Sequence, residues 1–352
     1  MKRTLLGMAA MALLLTGCNE DSTELQEQQA KVDMSDFYLY TDADDNGSTS
    51  RAALDKSCAS MAVLNRQLDE NPGLYKKMFD IEATSRRFIN GKKPDGAGNG
   101  NGNGNGGGGN DGGGGDPPVD DGLGILNIPV YIYVVYSNSS QNISDQQINS
   151  QMTVLNNDFN DTSSSNTLYG DQTADIDITF DLQVVDRQAN STSSWGTSNA
   201  LKNAYPAQPG YLTMWVANIG GGILGYAQFP GGNASTDGVV MSPQYFGTTG
   251  TATAPFDGGR TTTHEVGHWM NLRHIWGDGR CRQDDFVSDT PDSDRPNYGC
   301  PGNPTHCKSP DMTENYMDYT NDDCMHLFTE GQKARMRAVF APSGPRAALV
   351  GN

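Results

Sequence analysis

The chain has 352 residues, enough for about two or three structural units. A hydrophobic fraction of 36% and an aromatic fraction of 8% are low for one packed body, and fifteen of the 42 glycines fall between Gly91 and Gly122, which locates an unpacked stretch. A net charge of -18, from 42 acidic against 24 basic residues, argues against nucleic acid as a partner, because phosphate is held by Lys and Arg. No apolar run after residue 15 reaches the ~18 residues that span a bilayer, which excludes a polytopic membrane protein.

Met1-Lys2-Arg3 supplies a positive start, and a short apolar stretch runs from Leu5 to Leu15. This is a secretory signal over residues 1–17, too short for a membrane helix. Its end, Leu15-Thr16-Gly17-Cys18, resembles a bacterial lipobox. That resemblance implies lipidation of Cys18 and a lipid anchor at the outer membrane or cell surface. The alternative is ordinary signal cleavage beside a coincidental cysteine.

Residues 19–50 are polar and acidic and read as a tether. Asp42-x-Asp44-x-Asn46-Gly47 resembles half of an EF-hand loop, but Ala53 stands where the bidentate Glu belongs, so it reads as a solvated turn. Over 51–90 the spacing predicts two helices. Leu54, Met61, Leu64 and Leu68 mark one, Asn71-Pro72-Gly73 breaks it, and Leu74, Met78, Ile81 and Phe88 mark the next. Two short helices bury little by themselves, so this segment must dock on something. Residues 91–122 are a Gly/Asn/Asp linker, whose flexible-coil span is about 30 Å. The run around Gly106 to Asp111 approaches a Gly-Gly-x-Gly-x-Asp calcium repeat, but a single copy reads as linker.

Residues 123–352 read as a globular α+β domain. Ile128 to Tyr136 is an unbroken apolar and aromatic run, expected of a buried strand. From Ser144 to Asn157 an amphipathic helix is expected, with Ser144 and Gln147 as a capping box and Ile148, Met152, Leu155 and Phe159 on one face. Ile176, Ile178, Phe180, Leu182 and Val184 alternate as in a strand with one polar face. Short strands are expected at 211–216, 225–229 and 238–241, and a last helix near 329–340. The 225–229 strand should lie at an edge, where an extended peptide could add by main-chain hydrogen bonds.

Three of the five histidines fall in His264-Glu265-Val266-Gly267-His268-Trp269-Met270-Asn271-Leu272-Arg273-His274. On a helix, residues i and i+4 share a face, so His264 and His268 can hold one metal ion. Glu265, one step round, can reach a metal-bound water without being a ligand. His274 lies too far along for that face, so the helix must end and turn back. Asn271 stands where the turn is needed and is, after glycine, the residue most tolerant of positive φ.

The pattern His-Glu-x-x-His-x-x-Asn-x-x-His resembles the metzincin zinc peptidases, with Asn271 in place of their usual glycine. Asn315-Tyr316-Met317-Asp318-Tyr319 resembles the Met-turn of the pappalysin (cytophagalysin) family. Phe286-Val287-Ser288-Asp289-Thr290-Pro291, Tyr298-Gly299-Cys300-Pro301 and Asp323-Cys324-Met325 are similar to it as well. The likeness covers roughly 123–342 and extends weakly to Cys58 and Asp69-Glu70-Asn71-Pro72, which is similar to the family's pro-region.

This resemblance implies a metzincin zincin fold. A twisted, mostly parallel five-stranded sheet with backing and active-site helices would form the upper subdomain (123–274), and the lower subdomain (275–352) would be irregular and disulfide-tied. The same resemblance implies one catalytic Zn²⁺, held by His264, His268 and His274. It makes Glu265 the general base, Met317 the floor beneath the ligands, and Tyr319 the residue that stabilises the oxyanion. Asp285, Asp289 and Thr290 are possible calcium donors, although an acidic solvated loop reads almost as well.

In an exported chain the clustered Cys281, Cys300, Cys307 and Cys324 read as two disulfides of open connectivity. The family resemblance implies Cys281–Cys307 and Cys300–Cys324. Cys58 is left over; its thiolate could fill the open zinc position of a zymogen released by cleavage in the linker, or it is an inert thiol. The expected function is a zinc endopeptidase acting on protein or peptide substrates, monomeric, and surface-anchored or released after processing. The alternative is a catalytically inactive zincin-fold lipoprotein serving adhesion.

Overall fold

A computed structural model of the chain describes residues 32–41, 58–91, 120–161 and 168–351. The signal segment, Cys18, the half EF-hand at 42–47 and the body of the glycine-rich linker lie outside the described residues. The chain divides into a leading unit, Met1–Asp33, and a large unit, Met34–Asn352, that holds every element below.

Leu54 of the periodic run lies outside the described residues, and the rest of that run corresponds to α1 (Ser60–Glu70) and α2 (Leu74–Gly91), separated by the Asn71-Pro72-Gly73 turn, in which the Leu74 N–H bonds Asn71 O at 2.8 Å. Their apolar faces bury Met61, Leu64, Leu68, Leu74 and Met78 around Leu39 and Phe229. Residues 34–41, expected to belong to a polar tether, pack here instead. Phe37 meets Tyr75 and Phe79 edge-on and stacks on Phe286, and Leu39 is buried. The local run Phe37-Tyr38-Leu39-Tyr40 carries enough apolar area to order a segment that is otherwise acidic.

The apolar run becomes β1 (Leu126–Tyr136). Next come α3 (Asp145–Asp158), the alternating strand β2 (Ile178–Ala189) and a one-turn helix α4 (Ala200–Ala204) that periodicity does not announce. They are followed by β3 (Leu212–Ala217), β4 (Gly225–Ala227) and β5 (Val239–Met241). The five strands form one sheet in the order β2-β1-β3-β5-β4, parallel except for the edge strand β4, which pairs antiparallel with β5. The architecture is the α+β one expected.

Alternation along β1 sorts its side chains to two cores. Ile128, Val130, Ile132 and Val134 face the layer of α3 and the metal-site helix, while Tyr133 and Val135 join Trp215 and Tyr226 on the far side. In α3 the Ser144 hydroxyl accepts the Gln147 N–H, but the capping box is not reciprocal. The Gln147 amide instead donates to Pro243 O and Phe246 O, tying the loop after β5 to α3.

The metal-site helix is α5 (Arg260–Trp269). Beyond it the chain is irregular, with a small hairpin, β6 (Thr305–His306) and β7 (Ser309–Pro310), and a final helix α6 (Glu330–Ala338) with a true capping box between Thr329 and Gln332. Disulfides join Cys281 to Cys307 and Cys300 to Cys324. The end of the linker is anchored too: Asp121 accepts two bonds from Arg337 of α6, at 2.6 and 2.8 Å. Among the described residues no helix is long and apolar enough to cross a membrane.

Candidate metal centre

Helix α5 buries every residue from Thr261 to Trp269, so its histidines have little freedom to reorient. The reversal after it is made by Asn271 at φ 75°, with the Leu272 N–H returning to Gly267 O at 2.9 Å. An asparagine thus takes the left-handed position, as its short amide permits. The turn brings His274 back beneath the helix. The three Nε2 atoms converge, with His268 lying 3.1 Å from both His264 and His274.

Each ring's other nitrogen is held by an oxygen. His264 Nδ1 bonds Tyr316 O at 2.7 Å, His268 Nδ1 bonds Leu272 O at 2.8 Å, and His274 Nδ1 bonds the Asp278 carboxylate at 2.5 Å. These acceptors put the proton on Nδ1 and leave three Nε2 lone pairs facing one another. Lone pairs in contact repel unless a cation lies between them. The spacing is close to the ~3.3 Å edge of a tetrahedron with about 2.05 Å Zn–N bonds, so the donor set fits zinc.

The floor comes from the turn 315–319. Met317 is fully buried, and a Cβ at Gly267 would lie 2.5 Å from its sulfur, so glycine lets α5 sit directly on the methionine. Asp318 braces this turn by accepting the N–H groups of Asn297 and Tyr319 at 2.9 and 2.7 Å. Burial pushes its carboxyl up to about 7 despite those donors. The Tyr319 ring stands edge-on to His274 with centroids 4.9 Å apart, and Trp276 stacks flat on the same histidine at 4.3 Å.

Cys58 is in no disulfide. Its sulfur and the nitrogens of His264, His268 and His274 all lie within 4.8 Å of one another. The backbone beside it pairs with β4 in parallel, the Ala59 N–H donating to Gly225 O at 3.1 Å. Glu265 is buried beside the histidines. Its Oε2 accepts the Ser60 hydroxyl at 2.7 Å and the Cys58 thiol at 3.5 Å, and Ser60 Oγ accepts the Ala227 N–H at 2.7 Å.

The proposed calcium donors are only partly brought together. The Thr290 hydroxyl donates to both Asp285 oxygens at 2.9 and 3.0 Å. Asp289 faces elsewhere: its carboxylate accepts the Thr329 hydroxyl at 2.6 Å and the Gly331 N–H at 2.8 Å, at the N-terminus of α6, where a negative charge is favoured. Three residues of the site are not singled out by the sequence. Asp278 carries one faint signal, its place four residues after the third histidine; Ser60 and Trp276 carry none.

Comparison with known proteins agrees with this geometry. The family model described as pregnancy-associated plasma protein-A, peptidase M43, matches residues 209–341. Extracellular metalloprotease 1 of Coccidioides posadasii is 37% identical over 230 residues, 61% of this chain and 77% of its own. Mature mirolysin of Tannerella forsythia, solved with a cleaved peptide, is 42% identical with a TM-score of 0.61, covering 64% of this chain and 96% of its own. A promirolysin mutant from the same organism is 34% identical with a TM-score of 0.67, covering 84% of this chain and 97% of its own. With this site on this sheet, the chain belongs to the M43, or pappalysin, family of zinc metallopeptidases.

Proposed function

We propose that this endopeptidase is made as a latent precursor, in which His264, His268 and His274 hold zinc and Cys58 fills the fourth position that catalysis needs open. The observation carrying this reading is the convergence of the Cys58 sulfur with the three imidazole nitrogens. Zinc, when bound, supplies a Lewis acid that lowers the pKa of water toward about 7 and polarises a carbonyl. Glu265 takes the proton of the attacking water and returns it to the leaving amine, a role blocked while the Ser60 hydroxyl occupies its carboxylate. Tyr319 donates to the oxyanion from beside His274, and Met317 fixes the floor.

The pro-segment also covers the edge strand. Gly225 O and the Ala227 N–H, now bonded to Ala59 and Ser60, are the groups an extended peptide substrate would pair with. A zymogen of mirolysin and its mature form with a cleaved peptide are both known, which supports a precursor that sheds this segment. Residues 51–90 with 34–41 would form the pro-segment, 91–122 the cleaved linker and 123–352 the enzyme.

Several finer features belong to the same proposal. Relatives are named extracellular, and the signal at 1–17 with Cys18 fits export and a lipid anchor at the outer membrane or cell surface, lost on processing. A calcium ion would bind at Asp285 and Thr290 without the Asp289 carboxylate. Burial and the adjacent Asp284 push the Asp285 carboxyl well up, an arrangement a hard cation relieves. The enzyme would act as a monomer.

The test is to purify residues 19–352 as wild type, Glu265→Ala and Cys58→Ala, and follow intact mass with and without a chelator. The wild type should shorten within or near residues 91–122 while Glu265→Ala and the chelated sample stay whole, and Cys58→Ala should convert sooner. If zinc is bound yet nothing shortens even after trypsin, the inactive adhesion reading replaces this one.

A further inference from the structure

Beside the metal cleft, Asn271, Arg273, Phe286 and Arg335 of the catalytic domain line one small cavity with a carboxylate that does not belong to it. Glu82 of α2 is buried, and Arg335 of α6 grips it with two parallel bonds, Nη1 to Oε1 at 3.0 Å and Nη2 to Oε2 at 2.7 Å. Arg335 Nε donates to Asn271 O at 2.8 Å, so this guanidinium is aimed by the turn between the second and third histidines. Arg273 lies alongside. The guanidinium carbons of Arg335 and Arg273 stand 5.3 and 4.7 Å from the centre of the Phe286 ring. Among the described residues, Arg273 Nη1 and Asn271 Nδ2 are buried donors with no hydrogen-bond partner, and both line the same small cavity as Glu82.

The charges do not balance within the catalytic domain. Glu82, the carboxylate bonded to Arg335, comes from the pro-segment; Asp278, an acid of the domain itself, is bonded to His274 through one oxygen. Taking Glu82 away would leave the Arg335 guanidinium without its bonded counter-ion, and the two orphan donors beside it add to that cost. Phe229 lines the cavity two residues beyond β4, the edge on which a substrate peptide would lie.

We propose that the mature enzyme carries a carboxylate-binding site made by Arg335, Arg273 and Asn271 on the Phe286 ring, and that an acidic side chain of the substrate takes the place Glu82 holds in the precursor. The substrate half rests on the reading that the pro-segment leaves.

Two measurements test it. The first uses the full chain with Glu82→Ala and reads the melting temperature in sodium acetate against sodium chloride at equal ionic strength. Acetate should raise it by several degrees in the variant and leave the wild type unmoved; equal melting in both salts overturns the site. The second uses processed wild-type enzyme on peptides that differ by one Glu or Gln at each position within four residues of the scissile bond. One Glu peptide should be cleaved with a roughly tenfold higher kcat/KM than its Gln twin, mostly through KM, and Arg335→Gln should bring that ratio toward one. If no peptide is cleaved, release of the pro-segment is what fails. If Glu and Gln peptides are cleaved alike while acetate still stabilises Glu82→Ala, the site serves the pro-segment alone and the substrate half is overturned.

Discussion

Gly267 shows how little slack the centre has. A methyl group there would meet Met317 Sδ at 2.5 Å and Leu272 at 3.5 Å, inside a fully buried layer. Overpacking of this kind costs about 1–3 kcal/mol, and here the strain falls on the turn of helix that carries His264 and His268. Gly267→Ala should therefore lower the melting temperature and the bound zinc together. A variant that melts lower but keeps one zinc per chain would show that the methionine floor does not position the ligands. Ser60 is the other decisive single residue. Its hydroxyl donates to Glu265 and accepts from Ala227, joining the pro-segment to both the base and the edge strand. Hydrogen bonds to charged groups contribute roughly 1.5–3 kcal/mol, so Ser60→Ala should shorten the half-time of conversion several-fold in an intact-mass time course. An unchanged half-time would show that this hydroxyl does not hold the pro-segment in place.

At the scale of elements, the lower subdomain has almost no regular structure to hold it, so covalent ties and caps take that role. The Cys300–Cys324 bridge closes the segment that contains the Met317 turn, and the Asn321 N–H to Gly299 O bond at 2.8 Å runs alongside it. A loop with a sequence separation of 24 contributes roughly 3 kcal/mol when cross-linked. The double variant Cys300→Ser/Cys324→Ser should lose about that much in a denaturant titration, and lose zinc with it. Loss of stability with zinc retained would separate the bridge from the site. The same contrast between local and distant ties decides what is legible in the sequence. A period of 3.6 announces α1, α2 and α3, an unbroken apolar run announces β1, alternation announces β2, and the histidine spacing with the Asn271 turn announces the centre, because each of those signals is local. Glu82 and Arg335 are 253 residues apart, and nothing near either one hints at the other. Residues 34–41 depart from the expected tether for a related reason: four apolar and aromatic residues in an acidic tract give no period, and distant partners such as Phe286, Tyr75 and Phe79 order them.

At the scale of the whole chain, α2 is held to α6 by a buried ion pair between Glu82 and Arg335. Burial works against ionisation of Glu82, yet Arg335 and then Arg86 overcome it and lower its carboxyl from 4.5 to about 2. A carboxylate whose pKa is depressed by folding adds stability that is fully present above its unfolded value, near 4.5, and is lost as pH falls through about 2. The difference corresponds to on the order of 3 kcal/mol at neutral pH. Acid also weakens metal binding, so the wild-type melting curve alone would mix two effects. Comparison with Glu82→Gln removes the shared one. The variant should melt well below the wild type at pH 6–7, since it leaves the Arg335 guanidinium buried without its counter-charge. The gap should then narrow between pH about 4.5 and 2 and close as Glu82 itself becomes neutral. A gap that stays constant down to pH 2 would mean that shape, not charge, holds α2 to α6, and acid would then have no direct hold on the release of the pro-segment.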